Sequence, residues 1–287
     1  MNHAPLCLPV FAVLLGLSCA ARAETRNCTE INALPAIISS QGVYCLKQDL
    51  TTAISSGFAV RINANNVTLD CNGHKIGGLA AGAGTQARGI YGAGSFPNYL
   101  SNVVVRNCGV RGFATGIELY GSGHVVEDNR LDANTTFGIK VTADDSVIRR
   151  NRVNDTGGNT LADAPIGINA ISEVDVLDNT VSRVFASAGS NDSADGIYTQ
   201  TDRYSVVRGN RVRGVAADGS GAPHGIFAFS AGRLILDGNH LVNASGNGSA
   251  ITCNQTDDAI VLNNVLNGFT FTMPGCLDGG GNVVVAP

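Results

Sequence analysis

Tryptophan is absent from the 287 residues, and methionine occurs only twice. Basic residues are not in excess: 19 Lys and Arg face 23 Asp and Glu, a formal net charge of −4. That balance excludes a general nucleic-acid binder, which would carry a basic surplus, but leaves room for a local basic patch. Charged residues make up only 15% of the chain while Ile, Val and Leu are frequent, so a large core can form and disorder is excluded. No apolar run beyond the first two dozen residues is long enough to span a bilayer. No Cys-x-x-Cys pair is present, and the density of Val, Gly and Asn argues against helical repeats.

The opening segment is present for another reason. Leu6 to Ala21 is apolar, and Ala21-Arg22-Ala23 is a small-residue cleavage pattern, so residues 1–23 read as an export signal and the mature domain as 24–287. A secreted or periplasmic location follows, with no membrane attachment after cleavage. Cys7 and Cys19 leave with the signal. The remaining Cys28, Cys45, Cys71, Cys108, Cys253 and Cys276 are an even set in an exported chain, which suggests disulfides. Joining neighbours along the chain gives Cys28–Cys45, Cys71–Cys108 and Cys253–Cys276, although the count alone leaves other pairings formally open.

A repeat runs through most of the chain. Gly-Ile recurs at Gly89, Gly116, Gly138, Gly167, Gly196 and Gly225, and Ala250-Ile251 continues the series. An Asn recurs at Asn107, Asn129, Asn151, Asn179, Asn210, Asn239 and Asn264, and from Gly116 onward it follows the Gly by 12 to 14 residues. The third residue before each Asn is apolar (Val104, Val126, Ile148, Val176, Val207, Leu236, Val261), and the second after it mostly is, Gly109 being the exception. Short β-rich runs on a fixed repeat predict a single-stranded right-handed parallel β-helix of about nine coils, a rod of roughly 40 Å, with an N-terminal cap over about 24–58. Stacked coils bury what one coil cannot. Stacked Asn amides can bond along the axis and to freed backbone groups.

The stretch Leu34-Pro35-Ala36-Ile37, Gly42-Val43-Tyr44-Cys45-Leu46, Asp49-Leu50 and Val67-Thr68-Leu69-Asp70-Cys71-Asn72-Gly73-His74-Lys75-Ile76 resembles the opening coils of right-handed β-helix proteins of the pectate-lyase-like superfamily. The resemblance spans about Cys28 to Val285. It implies the fold and a carbohydrate ligand, in a group that includes lyases, hydrolases, epimerases and non-catalytic binders. The motifs that would fix one chemistry are missing: there is no Asn-Thr-Asp with Gly-His-Gly and no Asp-Pro-His-Asp, of which Ala222-Pro223-His224-Gly225 is a partial echo. A copper-handling relative would need Met and His, and after the signal one Met and four His remain, so copper is not expected.

If the Ile after each Gly faces inward, its successor faces out. One outward row is then Tyr91, Glu118, Lys140, Asn169, Tyr198, Phe227 and Thr252, and the row two residues on holds Tyr120, Gln200 and Phe229. Aromatic faces interleaved with amides and charges suit sugar rings. Long segments before Ile166, Ala194 and Pro223 are placed to line one edge. Asp195 and His224 share a register and should stand one rung apart, about 5 Å at the backbone, where the Asp can orient the His for proton transfer. Lys140 beside Glu118 reads either as a surface ion pair worth under about 1 kcal/mol or as a lyase base.

The expected function is binding of a polysaccharide along this sheet with cleavage by elimination or hydrolysis. Asp195, His224 and Lys140 are the candidate catalytic residues. Tyr91, Glu118, Tyr120, Asn169, Tyr198, Gln200, Phe227 and Phe229 are the candidate substrate contacts. The alternative is a non-catalytic carbohydrate-binding or structural protein of the envelope. Calcium is a candidate cofactor at Asp144-Asp145, Asp257-Asp258 or Asn191 to Asp195, although calcium needs six or more oxygens. A second face carries Arg130, Arg152 and Arg211, suited to an acidic glycan or simply solvated. The chain is expected to act as a monomer.

Overall fold

The computed structural model describes residues 24–94, 99–161, 164–201, 203–229, 232–255 and 258–287. The signal segment and Asp257 lie outside the described residues. Within them the chain winds as a parallel β-solenoid of three sheets, with one three-residue 3-10 turn at Leu79–Ala81 as its helical content. Every sheet runs coil by coil along the axis. The Gly-Ile sheet includes Arg88–Gly92, Thr115–Ser122, Phe137–Asp144, Ile166–Ile171, Ala194–Gln200, Pro223–Phe229 and Ser249–Asn254. The sheet before the repeat Asn includes Val103–Arg106, Ser146–Arg149 and Tyr204–Arg208; the sheet after it includes Lys75–Gly77, Gly109–Arg111, Arg130–Asp132, Arg152–Gly157, Thr180–Phe185 and Arg211–Ala216.

The core is built of like-on-like stacks. Val60, Ile90, Ile117, Ile139, Ile168, Ile197, Ile226 and Ile251 pair in unbroken register, each 0% exposed. A fully buried Ile contributes about 1.5–3 kcal/mol, and no coil could bury its own without the next. The Gly before the Ile is required by close approach. A Cβ on Gly138 would lie 2.5 Å from the carbonyl oxygen of Gly167, and one on Gly196 would lie 2.6 Å from that of Gly225. Any side chain there would force neighbouring rungs apart.

The corner between the second and third sheets is an asparagine ladder. The Nδ2 of Asn129, Asn151, Asn179, Asn210, Asn239 and Asn264 donates to the Oδ1 of the next rung's Asn at 3.0–3.1 Å, ending on Asn282. The same Nδ2 donates to a carbonyl of the preceding coil, as Asn179 does to Ile148 at 2.9 Å. The ladder corrects the first repeat. Asn107 is one residue early, and Cys108 occupies the rung, its N–H donating to Asn129 Oδ1 at 2.9 Å. Asn107 instead sits at φ 54° in a column with Asp128, Arg150, Asp178, Gly209, Gly238 and Asn263, all left-handed. Asn tolerates that conformation better than most residues. The inward residue of that coil is Val105 rather than Val104, because Val105 pairs with Val126. Gly109 thereby ceases to be an exception, since Val110 pairs with the inward Leu131.

The three disulfides are Cys28–Cys45, Cys71–Cys108 and Cys253–Cys276. Cys71–Cys108 continues the corner on the N-terminal side where the Asn ladder stops.

Candidate functional site on the Gly-Ile sheet

The outward register of the Gly-Ile sheet is as the alternation requires. One column runs Arg61, Tyr91, Glu118, Lys140, Asn169, Tyr198, Phe227, Thr252. A parallel column, one residue before each Gly, runs Phe58, Arg88, Thr115, Phe137, Ile166, Asp195, His224, Ser249. Two clusters form along these columns.

The first centres on Glu118. It is 2% exposed although its strand position faces away from the core. Arg88 donates to one carboxylate oxygen and Tyr120 Oη donates to the other at 2.7 Å. Lys140 Nζ lies 3.7 Å from Oε1, beyond hydrogen-bonding distance. Burial first, and the Glu118 carboxylate second, push the Tyr120 phenol well above its ordinary pKa, so it stays a donor. Phe58 and Tyr91 stack at 4.3 Å with Arg88 over both rings. Two donors, Arg88 and Tyr120, thus cover the Glu118 carboxylate, with Lys140 beside them. The expected Glu118–Lys140 ion pair is present across adjacent rungs, with its Lys partly exposed and its Glu buried.

The second cluster is the Asp195–His224 pair. The two residues face each other on adjacent rungs, and His224 Nδ1 lies 2.8 Å from Asp195 Oδ1. Both side chains are nearly buried, 13% and 12% exposed. Burial raises the Asp195 carboxyl above its ordinary value, while the hydrogen bond and charge of His224 pull it down. Phe227 packs against His224 at 4.8 Å and stacks on Tyr198 at 5.8 Å and on Phe229 at 6.5 Å. Tyr198 Oη reaches Gln200 Oε1 at 3.3 Å, and burial together with the nearby Asp195 raises the Tyr198 phenol. The long loops stack against one another beside this pair: Asp218 N–H donates to the Asp192 carbonyl at 3.1 Å and Ser187 Oγ to the Asn159 carbonyl at 2.5 Å.

Asn169 stands between the clusters, one rung from Lys140 and one from Tyr198. It is 6% exposed, and its Oδ1 is buried without a hydrogen-bond partner. Lys140 is not brought to the Asp195–His224 pair. It is two rungs from Tyr198, about 10 Å along the axis. The columns of this site were readable from the Gly-Ile period. The role of Arg88 was not, because it precedes its Gly and belongs to the neighbouring column.

The sequence profile of a family described as "Periplasmic copper-binding protein (NosD)" matches residues 36–222, well over half of the chain. The chain belongs to the NosD family. No curated protein sequence matches it. Among solved structures it is similar to the Dettilon tailspike protein, at 13% identity and a TM-score of 0.52, over 90% of this chain and 60% of the tailspike. It is also similar to the enzymatically active domain of bacteriophage CBA120 tailspike protein 2, at 13% identity and a TM-score of 0.50, over 87% of this chain and 41% of that one. The chain thus spans less than two thirds of either tailspike, and the likeness is one of fold.

The family description raises copper, which wants converging thiolate, thioether or imidazole ligands. Here all six described cysteines are in disulfides. His74 faces Asp49, His224 holds Asp195, and the buried His124 accepts from the Val103 N–H at 3.3 Å. Among the described residues no three His, Cys, Asp or Glu side chains form a metal-holding group. These residues do not fit a copper centre. Neither Asp144-Asp145 nor the Asn191-to-Asp195 run gathers a third acidic group, so calcium finds no such cluster there either.

Proposed function

We infer that this protein binds an extended polysaccharide along the outward face of the Gly-Ile sheet and that Asp195 and His224 move a proton at that face. The observation that carries the reading is the 2.8 Å Asp195–His224 hydrogen bond between two nearly buried side chains beside the Tyr198–Phe227 stack. With Asp195 ionised, His224 Nδ1–H donates to it. The lone pair then lies on Nε2, which takes no hydrogen bond from any described residue. Tyr198, Phe227 and Phe229 offer ring faces to the apolar faces of sugars.

Rung geometry favours elimination over hydrolysis. Glycoside hydrolysis ordinarily uses two carboxyl groups about 5–9.5 Å apart. Glu118 and Asp195 are three rungs apart, about 14 Å along the axis, and Glu118 is already enclosed by donors. In elimination at a uronic acid, one base removes the proton next to the carboxylate. The electron pair becomes the new carbon–carbon double bond, and the glycosidic oxygen leaves with a proton. His224 Nε2 would be that base, and Tyr198 Oη, whose phenol burial keeps protonated, would turn from Gln200 to donate to the leaving oxygen. Lys140 would hold a substrate carboxylate in a neighbouring subsite, with Asn169 Oδ1 accepting from a sugar hydroxyl. An exported location accords with such a substrate and with the periplasmic wording of the family description. One of the similar tailspike structures is of an enzymatically active domain.

The second reading is binding without turnover, favoured by the three-rung separation of Asp195 from Glu118. A panel of acidic and neutral glycans, scored for new reducing ends and for unsaturated products by ultraviolet absorbance, separates the two. The expected result is unsaturated product from a uronate polymer, with His224→Gln lowering turnover about a hundred-fold or more and Phe227→Ala raising KM. Binding with no product would establish the second reading. Turnover indifferent to His224→Gln would place the chemistry elsewhere.

A further inference from the structure

The sheet that follows the asparagine ladder carries a second feature, on a different face of the rod from the groove. Its outward column runs Lys75, Gly109, Arg130, Arg152, Thr180, Arg211. The column two residues on holds Arg111, Asp132, Asn154, Ser182 and Arg213. All of them except Arg211, which stands beside Arg213 on the same strand, line a shallow trough of about 710 Å3 that reaches from Lys75 to Arg213.

What distinguishes these arginines is their lack of partners. On the neighbouring sheet Arg106, Arg149 and Arg208 each meet a carboxylate, at 2.9, 2.7 and 3.3 Å. Arg130, Arg152, Arg211 and Arg213 are exposed and meet no carboxylate, hydroxyl or ring among the described residues. The two acids lining the trough are already neutralised: Asp132 by Arg111 at 3.0 Å and Asp128 by Arg150 at 2.9 Å. Arg111 Nε is itself buried without a hydrogen-bond partner. In a chain of net charge −4, this strip is a local cationic surplus. Adjacent guanidinium groups one rung apart repel each other, a cost the fold bears without compensation from its own acids.

We propose that this trough is a second glycan site, which takes an acidic polysaccharide lying along the rod axis. Arg130 and Arg152 are one rung apart, about 4.8 Å, close to the advance of one sugar in an extended chain. Arg211 is two rungs further. A polymer with a carboxylate on each sugar can therefore meet the three guanidiniums in sequence, each in the bidentate geometry arginine favours. Thr180 supplies a hydroxyl for a sugar hydroxyl between the charges, while Ser182 and Asn154 beside it hydrogen-bond each other. Among the described residues no aromatic side chain lines the trough, which disfavours single-stranded nucleic acid, since that ligand is held by base stacking as well as charge. The site is independent of the Asp195–His224 reading.

Calorimetry with the full chain tests it, using oligogalacturonate as the acidic probe, a neutral galactan as control and inorganic phosphate as the simple anion. A Phe227→Ala background removes the groove contribution. In that background oligogalacturonate should bind, more weakly as salt is added, and galactan should not. Arg130→Gln with Arg152→Gln should weaken binding about ten-fold or more, while Arg130→Lys with Arg152→Lys should retain part of it. Circular dichroism checks that each variant is folded. The proposal is overturned if oligogalacturonate does not bind in the Phe227→Ala background, if the Gln pair binds as well as its parent, if galactan binds equally, or if phosphate binds as tightly as the polymer.

Discussion

Replacing Asn179 by Ala asks how much one rung of the asparagine ladder stabilises the solenoid. Asn179 is 1% exposed. Its Oδ1 accepts from the Asn151 N–H at 2.9 Å and from Asn151 Nδ2 at 3.0 Å. Its Nδ2 donates to the Ile148 carbonyl at 2.9 Å and to Asn210 Oδ1 at 3.1 Å. The substitution orphans one buried backbone group, the Asn151 N–H, and takes from the Ile148 carbonyl, which sits in a paired strand, the hydrogen bond of the amide. The side-chain groups are better protected: Asn151 Nδ2 keeps the Val126 carbonyl, and Asn210 Oδ1 keeps the Asn179 N–H. An orphaned buried group costs about 1–3 kcal/mol, so the expected loss is about 1–3 kcal/mol, a sizeable share of an ordinary domain's stability. Urea unfolding followed by far-ultraviolet circular dichroism measures it. The same change at Asn282, the half-exposed last rung, should cost less. A loss below about 1 kcal/mol at Asn179 would show that water replaces the ladder freely, and the account of this corner would fail.

Two further outcomes follow from the same physics. Asp195 holds its proton more tightly folded than unfolded, because burial raises its carboxyl. Its contribution to stability is therefore complete below its unfolded value near 3.8 and is lost as pH rises through its folded value. The wild type should lose stability relative to Asp195→Asn across that window in urea midpoints taken at successive pH; a constant difference would contradict the assigned direction. Replacing Cys71 and Cys108 by Ser opens a loop of sequence separation 37 and should cost about 4 kcal/mol by loop-closure entropy, read as a lower denaturation midpoint. An unchanged midpoint would mean the Asn129 corner holds without the link.

The spacing of Gly-Ile and Asn carried the architecture, because a solenoid repeats one local environment at every rung and so writes it many times into the chain. The same redundancy makes the Asp195–His224 register legible in the chain itself. Its failure at Asn107 is instructive: the left-handed corner and the ladder rung both favour Asn, and a one-residue offset between them is invisible when one side of the corner is a Cys. Tertiary structure alone decided the rest. Depth is one part: Glu118 and Tyr91 alternate identically, yet Arg88, Tyr120 and Lys140 enclose the first and leave the second half-buried. Partnership is the other. The arginines of two sheets look alike in the chain, and only the fold determines that Arg149 finds a carboxylate while Arg130 and Arg152 find none, because ion pairing depends on which residue the next coil sets opposite.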